Sequence, residues 1–372
     1  MSIETVGVKL ARSPGLTGDH VQALTAQAGG DRERLCERDV VAQVELPTAA
    51  REFLLRPNEE ALAADLAWLR ASGARLVLWG EPDYPQPLGE IPGAPAALYV
   101  IGCVETLKAP QLAMVGARRA SPLGRAIARE LAGSLTRAGL TVTSGLAVGI
   151  DTASHEGALL AGGHTVAVLG TGLDRIYPAE NAGLAERIRA AGALVSEFPP
   201  RTGPQRQNFP RRNRVISGLA LGTLIVEAAR DSGSLITADQ AAQQGREVFA
   251  VPGSIRSPLS RGCHKLIREG AHLVEDWTDV LAGLQFNNVY QRLRSSGGAG
   301  AGACGQTHAE GAPLDKEYEM LLDALGFEPA TIDTLVARSG LSGESIASML
   351  LILELEGRVA PYPGGLYGRL SK

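Results

Sequence analysis

From residue 111 onward, short apolar runs alternate with segments of helical period. The runs at 112–115, 140–143, 165–169, 194–197, 223–226, 247–251 and 271–274 are short and continuously apolar. That is how strands read when both faces of a sheet are covered. Between them lie helical segments over 122–137, 152–160, 182–190, 235–244, 265–268 and 277–284. The first is signalled by Ser121 at its cap and Pro122 in its first turn. The alternation predicts an α/β protein with an extended Rossmann-like, doubly wound, mainly parallel sheet.

The flanks carry other patterns. Residues 1–72 read as a helical domain, with a Pro14-Gly15 turn in a helical hairpin and an amphipathic helix over 58–69. Its turn lacks lysine, which favours a packing or partner module over a DNA-backbone contact. Between 75 and 107, two short strands flank a proline-punctuated loop and extend the following sheet, so the central domain is placed at 73–285. A linker follows over 286–313, Gly/Ala/Ser-rich from 295. Residues 314–372 offer helices near 316–325, 331–339 and 345–355, then a hairpin around Pro363-Gly364-Gly365. Three helices and a β-hairpin make a winged helix.

Charge sharpens this division. The chain has a net charge of −4, which argues against a protein that coats DNA nonspecifically. Residues 110–285 hold 19 Lys+Arg and 15 Asp+Glu, and the remainder 17 and 25. The middle is the basic part, and nearly all of its cations are arginine, whose planar fork pairs with phosphate and stacks on bases. Residues 315–372 hold 9 acidic and 5 basic groups, which weakens DNA reading by the winged helix and leaves a protein-contact or dimer-modulating role beside it. No run of 18 apolar residues and no signal peptide is visible, so no membrane insertion and a cytoplasmic location are expected. Cys36, Cys103, Cys263 and Cys304 lie far apart without ligand spacing, which suggests reduced thiols and no metal.

The strongest chemical constellation lies at 201–214, which has five arginines and no acid, with Phe209 beside Arg211, Arg212 and Arg214. It reads as an arginine-rich turn able to hold phosphates while Phe209 stacks a base. On a helix, Arg211 and Arg214 would share a face and Arg212 would diverge. Glycine-rich turns follow strands near 116, 145, 170 and 233. In an open parallel sheet such turns gather at the carboxyl ends of the strands, where they can line a nucleotide or phosphate pocket or simply permit tight turns. No G-x-G-x-x-G and no P-loop is present. Asp151 and His155 read as a helix cap and a satisfied partner, or as an acid/base pair. Glu227, at a strand end, reads as a catalytic carboxylate or as an acceptor for loop amides. No nucleophile, metal set or carboxylate pair stands out.

With these residues in place, the sequence resembles the DNA-processing protein A (DprA) family of Rossmann-like proteins. The resemblance rests on Asp83-Tyr84-Pro85, Met114-Val115-Gly116-Ala117-Arg118, Ser144-Gly145-Leu146-Ala147-Val148-Gly149-Ile150-Asp151 with His155, and Gly170-Thr171-Gly172-Leu173-Asp174 with Tyr177-Pro178 and Asn181. It continues through Ser196-Glu197, Phe209-Pro210-Arg211-Arg212-Asn213-Arg214, Val226-Glu227-Ala228, Ser232-Gly233-Ser234-Leu235 and Val248-Phe249-Ala250-Val251-Pro252-Gly253. The flanks fit more loosely, as a sterile-alpha-motif-like domain and a winged helix. The resemblance implies a non-enzymatic homodimer without cofactor that binds single-stranded DNA, protects incoming DNA and loads a RecA-type recombinase in natural transformation.

Its DNA contacts would be Arg118, Phe209, Arg212, Asn213 and Arg214. Arg119, Gly145, Arg211, Ser232, Gly233 and Ser234 are expected to line the same pocket. Pairing would lie near Cys263, Leu266, Ile267 and Leu273. Two positions depart from the pattern: Ala117 where Ser or Thr is common, and Val148 where relatives often carry lysine. Arg119 would compensate. The rival readings are a nucleotide phosphoribohydrolase of a related branch and a small-ligand carrier. The former's P-G-G lead is missing before Gly222-Thr223 and Glu227.

Overall fold

The computed structural model describes residues 2–286 and, toward the C-terminus, residues 321, 324–325, 330–343, 345–346, 349–350, 353, 359–362 and 366–369. The 287–313 part of the linker, most of the helices expected at 316–325 and 345–355, and the Pro363-Gly364-Gly365 turn lie outside the described residues.

Nine strands form one sheet: β1 Arg75–Leu78, β2 Ala97–Gly102, β3 Gln111–Val115, β4 Thr141–Ser144, β5 Thr165–Val168, β6 Ala193–Ser196, β7 Gly222–Ile225, β8 Glu247–Ala250 and β9 His272–Leu273. Their order is β1-β2-β6-β5-β4-β3-β7-β8-β9. All pairings from β6 to β9 are parallel, whereas β1 and β2 join antiparallel beside β6. The chain runs outward from β3 to β6, then returns to the other side of β3 as β7. The winding therefore reverses between β3 and β7, which is where open α/β sheets carry their crevice.

The apolar runs are explained by burial on both faces. Leu112 and Met114 of β3 point into one core with Leu131, Leu135 and Ile150. Ala113 and Val115 point into the other with Val215, Ile216 and Leu219. Helices Pro122–Arg137 and Ile150–Leu160 cover the first face, and helices Asn208–Leu219 and Gly233–Gln243 the second. The Ser121 hydroxyl accepts from the Gly124 amide at 2.9 Å, fixing the start of the first helix.

The segment expected to be an arginine-rich turn is instead helical, from Asn208 to Leu219. Its apolar residues Val215, Ile216 and Leu219 reach the core one turn apart, and the arginines ride on the faces left over. Packing thus overrides a composition that by itself reads as a loop.

The N-terminal residues form helices Ile3–Arg12, Gly18–Gln27, Arg38–Gln43, Thr48–Leu55 and Glu59–Ser72. They bury a core of their own around Val6, Leu10, Leu24 and Val41. They are bolted to the sheet side by Asp65, which is fully buried. Its carboxylate takes the Arg12 guanidinium on both oxygens, Nε on Oδ2 and Nη2 on Oδ1 at 3.0 Å, and Oδ1 is also reached by Arg201 at 2.9 Å from the loop after β6. The bond to Asp65 holds the Arg12 guanidinium above its usual pKa, against the opposing effect of burial.

The C-terminal unit, residues 303–372, has a sheet of its own. Strand Leu366–Arg369 pairs antiparallel with both Val359–Tyr362 and Ala330–Thr331. Helix Ile332–Ser339 is capped by Thr331 and closed by Gly340 at φ 72°. It packs Leu335 against Leu321, Leu325 and Leu350. This is the winged helix.

Removing the Asp65 charge leaves Arg12 facing a neutral, buried site. Asp65→Ala is expected to cost about 3 kcal/mol in chemical denaturation, the lower end for a broken buried pair because both arginines stay partly hydrated. A loss within about 0.5 kcal/mol would show that the bolt carries no weight.

Candidate nucleic-acid interface

A crevice of about 620 Å³ opens at the point where the winding reverses. The turn after β3 (Gly116, Ala117, Arg118, Arg119) forms one wall, and the turn after β7 (Arg230, Asp231, Ser232, Gly233, Ser234) the other. Phe209, Arg212 and Asn213 of the Asn208–Leu219 helix close a third side. A smaller slot of about 80 Å³ adjoins it and is lined by Gly145, Val148, Gly170 and Tyr177. Arg118, Ala147, Phe209 and Arg212 border both spaces. The four glycine turns seen in the sequence thus divide into two pairs, 116 and 233 on the crevice, 145 and 170 on the slot.

Phe209 stands between the two spaces. The Arg118 guanidinium lies 5.5 Å from the centre of its ring, and the Tyr177 ring lies 5.9 Å away, tilted by 45°. Gly170 admits the ring, since a Cβ there would sit 3.1 Å from it. Arg118 and Arg119 are exposed and, among the described residues, have no ion-pair partner. They present two uncompensated cations on a wall shaped for a ligand.

The arginines of the helix do three different things. Arg212 is buried at 5% exposure. It donates through Nη1 to the carbonyls of Gly145 and Val168, and through Nε to Asn213 Oδ1 at 3.2 Å. Burial pushes its pKa down to about 10, opposed by the nearby Asp151 carboxylate. Arg212 was expected to hold phosphate; instead it is a bolt between the helix and the ends of β4 and β5, and Asn213 serves it as acceptor. Arg214 donates to the Gly93 carbonyl at 2.7 Å and pairs with Glu197, which Arg211 also reaches at 3.5 Å. Arg211 lies over the Phe198 ring at 5.2 Å and is exposed. These two share a face, as a helix requires, and share the single carboxylate of Glu197, which offsets one of their two charges.

Gly145 is used structurally as well. Its amide donates to Asp151 Oδ2 at 3.1 Å, and its carbonyl accepts from Arg212. A Cβ here would lie 2.5 Å from the Arg212 guanidinium. Ser232 caps its helix, accepting from the Ser234 amide at 3.3 Å, while Gly233 is exposed at the crevice. Gly149, at φ 90°, brings its backbone against the Ala117 and Arg118 carbonyls, where a Cβ would collide at 2.3 Å and 2.5 Å. This close approach fixes the Arg118 turn over the β4 end.

The acidic and histidine candidates are absorbed by the fold. Glu227 accepts from the Ser121 amide at 2.9 Å and the Ser121 hydroxyl at 2.6 Å. Asp151 accepts the Gly145 and Ala147 amides, and burial raises its pKa despite the opposing field of Arg212. His155 lies elsewhere, with Nδ1 at 2.7 Å from Thr165 Oγ1. Thr165 gives its only proton to the Val142 carbonyl, so His155 Nδ1 carries the proton in this bond. Burial first, and Arg212 second, push its pKa down to about 3. Asp151 and His155 are not an acid/base pair.

Two residues expected at a pairing surface are core residues. Cys263 is fully buried against the β7 end, and Leu266 is 6% exposed. Both lie on the inward face of helix Arg261–Arg268. Ile267 is half-buried, and Leu273, on the edge strand β9, is 45% exposed. Sequence reasoning missed Tyr177 and Arg230 at the site. Both follow glycine-turn or strand-end signals by a few residues, so the position was visible but not the orientation. Among the described residues, no cluster of His, Cys, Asp or Glu suits a metal, and no helix is long and apolar enough to cross a membrane.

Fold and crevice define a Rossmann-like protein with an arginine-lined pocket at its switch point. Residues 75–285 match the family model DNA recombination-mediator protein A, and residues 306–365 match the DprA winged helix domain. The chain belongs to the DNA recombination-mediator protein A family. It is 41% identical to Protein Smf of Escherichia coli (strain K12) over 324 residues, covering 87% of this chain and 84% of that protein. It is 47% identical to the DNA processing protein DprA of Streptococcus pneumoniae over 203 residues, covering 55% of this chain and 72% of that protein. The X-ray structure of DprA from Streptococcus pneumoniae superposes with a TM-score of 0.66 at 36% identity, covering 76% of this chain and 98% of that one. A structure of DNA processing protein A from Helicobacter pylori, reported for its single-stranded DNA binding mode, gives 0.53 at 26% identity, covering 57% and 96%.

The low pKa of His155 has a pH consequence. The unfolded chain binds this proton near pH 6.5, and the folded chain only near 3. Between those values the unfolded state holds more protons, so stability present at neutral pH is lost as pH falls. The effect is up to about 1.4 kcal/mol per pH unit. Denaturation of the parent and His155→Gln across pH 7 to about 4 should show a shallower acid loss in the variant; parallel curves would contradict the assignment.

Gly145→Ala should push Arg212 off the two carbonyls. A Tm fall of several degrees is expected for a cost of about 2 kcal/mol, and an unchanged Tm would mean that the bolt is slack.

Proposed function

We propose that this chain is a single-stranded-DNA-binding recombination mediator that grips a strand at the crevice and loads a RecA-type recombinase onto it. The observation that carries the reading is the Phe209 ring, framed by Arg118 and Tyr177 at the junction of crevice and slot. Aromatic rings that stack bases beside unpaired arginines suit a strand whose bases are exposed. The Helicobacter pylori relative, reported for single-stranded DNA binding, supports the same ligand.

In this account Arg118 and Arg119 hold phosphates, and Arg211 contributes from the rim when drawn from Glu197. Phe209 stacks a base. Ser232, Gly233 and Ser234 line the far wall. Arg212, Asn213, Arg214 and Gly145 keep the ring and the turns in place. The role is binding rather than catalysis, because Glu227, Asp151 and His155 each serve a structural bond. The chain acts in the cytoplasm as a homodimer, in natural transformation, protecting incoming DNA. Ile267 and Leu273 beside the β9 edge are the residues free to meet a second copy. Two pockets on one strand would raise affinity without new contacts. Its functional domains are 1–72, 73–285 and 314–372, joined by a linker over 286–313, and the acidic last domain contacts protein.

Fluorescence anisotropy with single- and double-stranded oligonucleotides tests the reading. Single strands should bind in preference. Phe209→Ala should cost about 1 to 3 kcal/mol, roughly a 5- to 150-fold rise in Kd. Arg118→Ala should weaken binding and lower the salt slope by about 0.7. Duplex preference, or full affinity in Phe209→Ala, would refute it.

A further inference from the structure

A cavity of about 220 Å³ lies at the seam between the N-terminal helices and the sheet. One side of it is the end of helix Ile3–Arg12 and the turn that follows, from Leu10 to Leu16. The other side is the chain entering β2, at Pro95, and the chain leaving β6, at Glu197 and Phe198. Arg211 reaches it from the helix that carries Phe209. The cavity shares no lining residue with the crevice or the slot. Its volume is below the roughly 300–1,000 Å³ of sites for drug-sized ligands, so it suits a smaller molecule.

The walls are mostly apolar, and Leu10, Leu16 and Phe198 are core residues. Two charges interrupt them. Glu197, with its side chain 6% exposed, accepts from Arg211 and Arg214 through Oε2. Its Oε1 is buried and, among the described residues, accepts no hydrogen bond. The nearby Tyr84 hydroxyl gives its proton to the Pro95 carbonyl at 2.8 Å. A buried carboxylate oxygen without a donor is costly, and a charged donor offsets that cost best. Arg211 is the opposite case. Its side chain is 56% exposed, and its contact with Glu197 is long at 3.5 Å and shared with Arg214. One carboxylate offsets one of these two arginines, which leaves Arg211 able to take an anion. Arg12 also lines the cavity, but its guanidinium is committed to Asp65.

An acceptor lacking a donor, a neighbouring cation lacking a full partner and an apolar hollow between them fit one class of ligand. We propose that this cavity binds a free α-amino acid with an apolar side chain. Arg211, loosely held, would turn from Glu197 to admit it. The ligand ammonium would donate to Glu197 Oε1, its carboxylate would pair with Arg211, and its side chain would lie against Leu10, Leu16 and Phe198. A simple amine or a simple carboxylate satisfies only one of the two charges. The inference stands whatever the crevice holds.

The test uses the full chain without nucleic acid. It is titrated with L-leucine, L-methionine and L-phenylalanine to about 10 mM, tenfold above a Kd of about 1 mM, and followed by thermal melting and calorimetry. A ligand at ten times its Kd favours the folded state by a factor of about 11, so the Tm rises with concentration. At least one of the three should produce that rise. Glycine, 3-methylbutylamine and 4-methylpentanoate, which lack the side chain, the carboxylate and the ammonium in turn, should not. Arg211→Gln changes an exposed side chain, so it should melt near the parent and bind the amino acid about tenfold more weakly, for one lost charge-assisted contact. No rise with any of the three amino acids overturns the proposal. So does an equal rise with the amine or the carboxylate alone, or undiminished binding in Arg211→Gln.

Discussion

The geometry of the interface depends on one buried guanidinium. Arg212 leaves the Asn208–Leu219 helix inward and donates to carbonyls at the ends of β4 and β5. Both carbonyls lie at strand ends, and a buried acceptor without a donor is costly. The Asp151 carboxylate lies close enough to oppose the loss of charge on burial. Its two amide donors, Gly145 and Ala147, hold the same β4 turn. One charge therefore fixes a helix and two strand ends. With the helix so fixed, Phe209, three residues earlier, comes to stand between the two cavities.

This arrangement separates holding from gripping. Five arginines between 201 and 214 look like a phosphate-binding cluster, yet the structure employs most of them internally. Arg201 reaches Asp65, Arg212 the strand ends, and Arg211 and Arg214 share Glu197. The cations left over come from other turns, Arg118 and Arg119 after β3 and Arg230 after β7. Because these stand at the crossing point of a doubly wound sheet, three arginines without an ion pair among the described residues meet at one mouth. The acidic flanks keep the chain as a whole at −4, which disfavours indiscriminate binding.

The sheet was legible because burial on both faces writes a continuous apolar run, as in β3, where Leu112 and Val115 serve different cores. The Ser121 cap and the glycine turns were legible for a similar reason, since local backbone geometry selects residue type. The Asn208–Leu219 helix was harder to see. Its start lacks a capping side chain, and arginine and proline dominate its first turn. Val215, Ile216 and Leu219 were the signal, outweighed by composition. Long-range pairing left no sequence mark: Glu197 lies outside the segment whose Arg211 and Arg214 it pairs with, and Asp65 is far in sequence from Arg201. The pattern around Cys263 and Leu266 marked a helix correctly but not which of its faces is inward.

Photocrosslinking of a uniformly thymidine strand to the full chain, with the linked peptides read by mass spectrometry, bears most directly on the central claim. The account predicts adducts at Phe209 and Tyr177, with the 116–119 turn protected from arginine-modifying reagents in the complex. Adducts confined to the winged helix or to the N-terminal helices, with that turn left reactive, would contradict it.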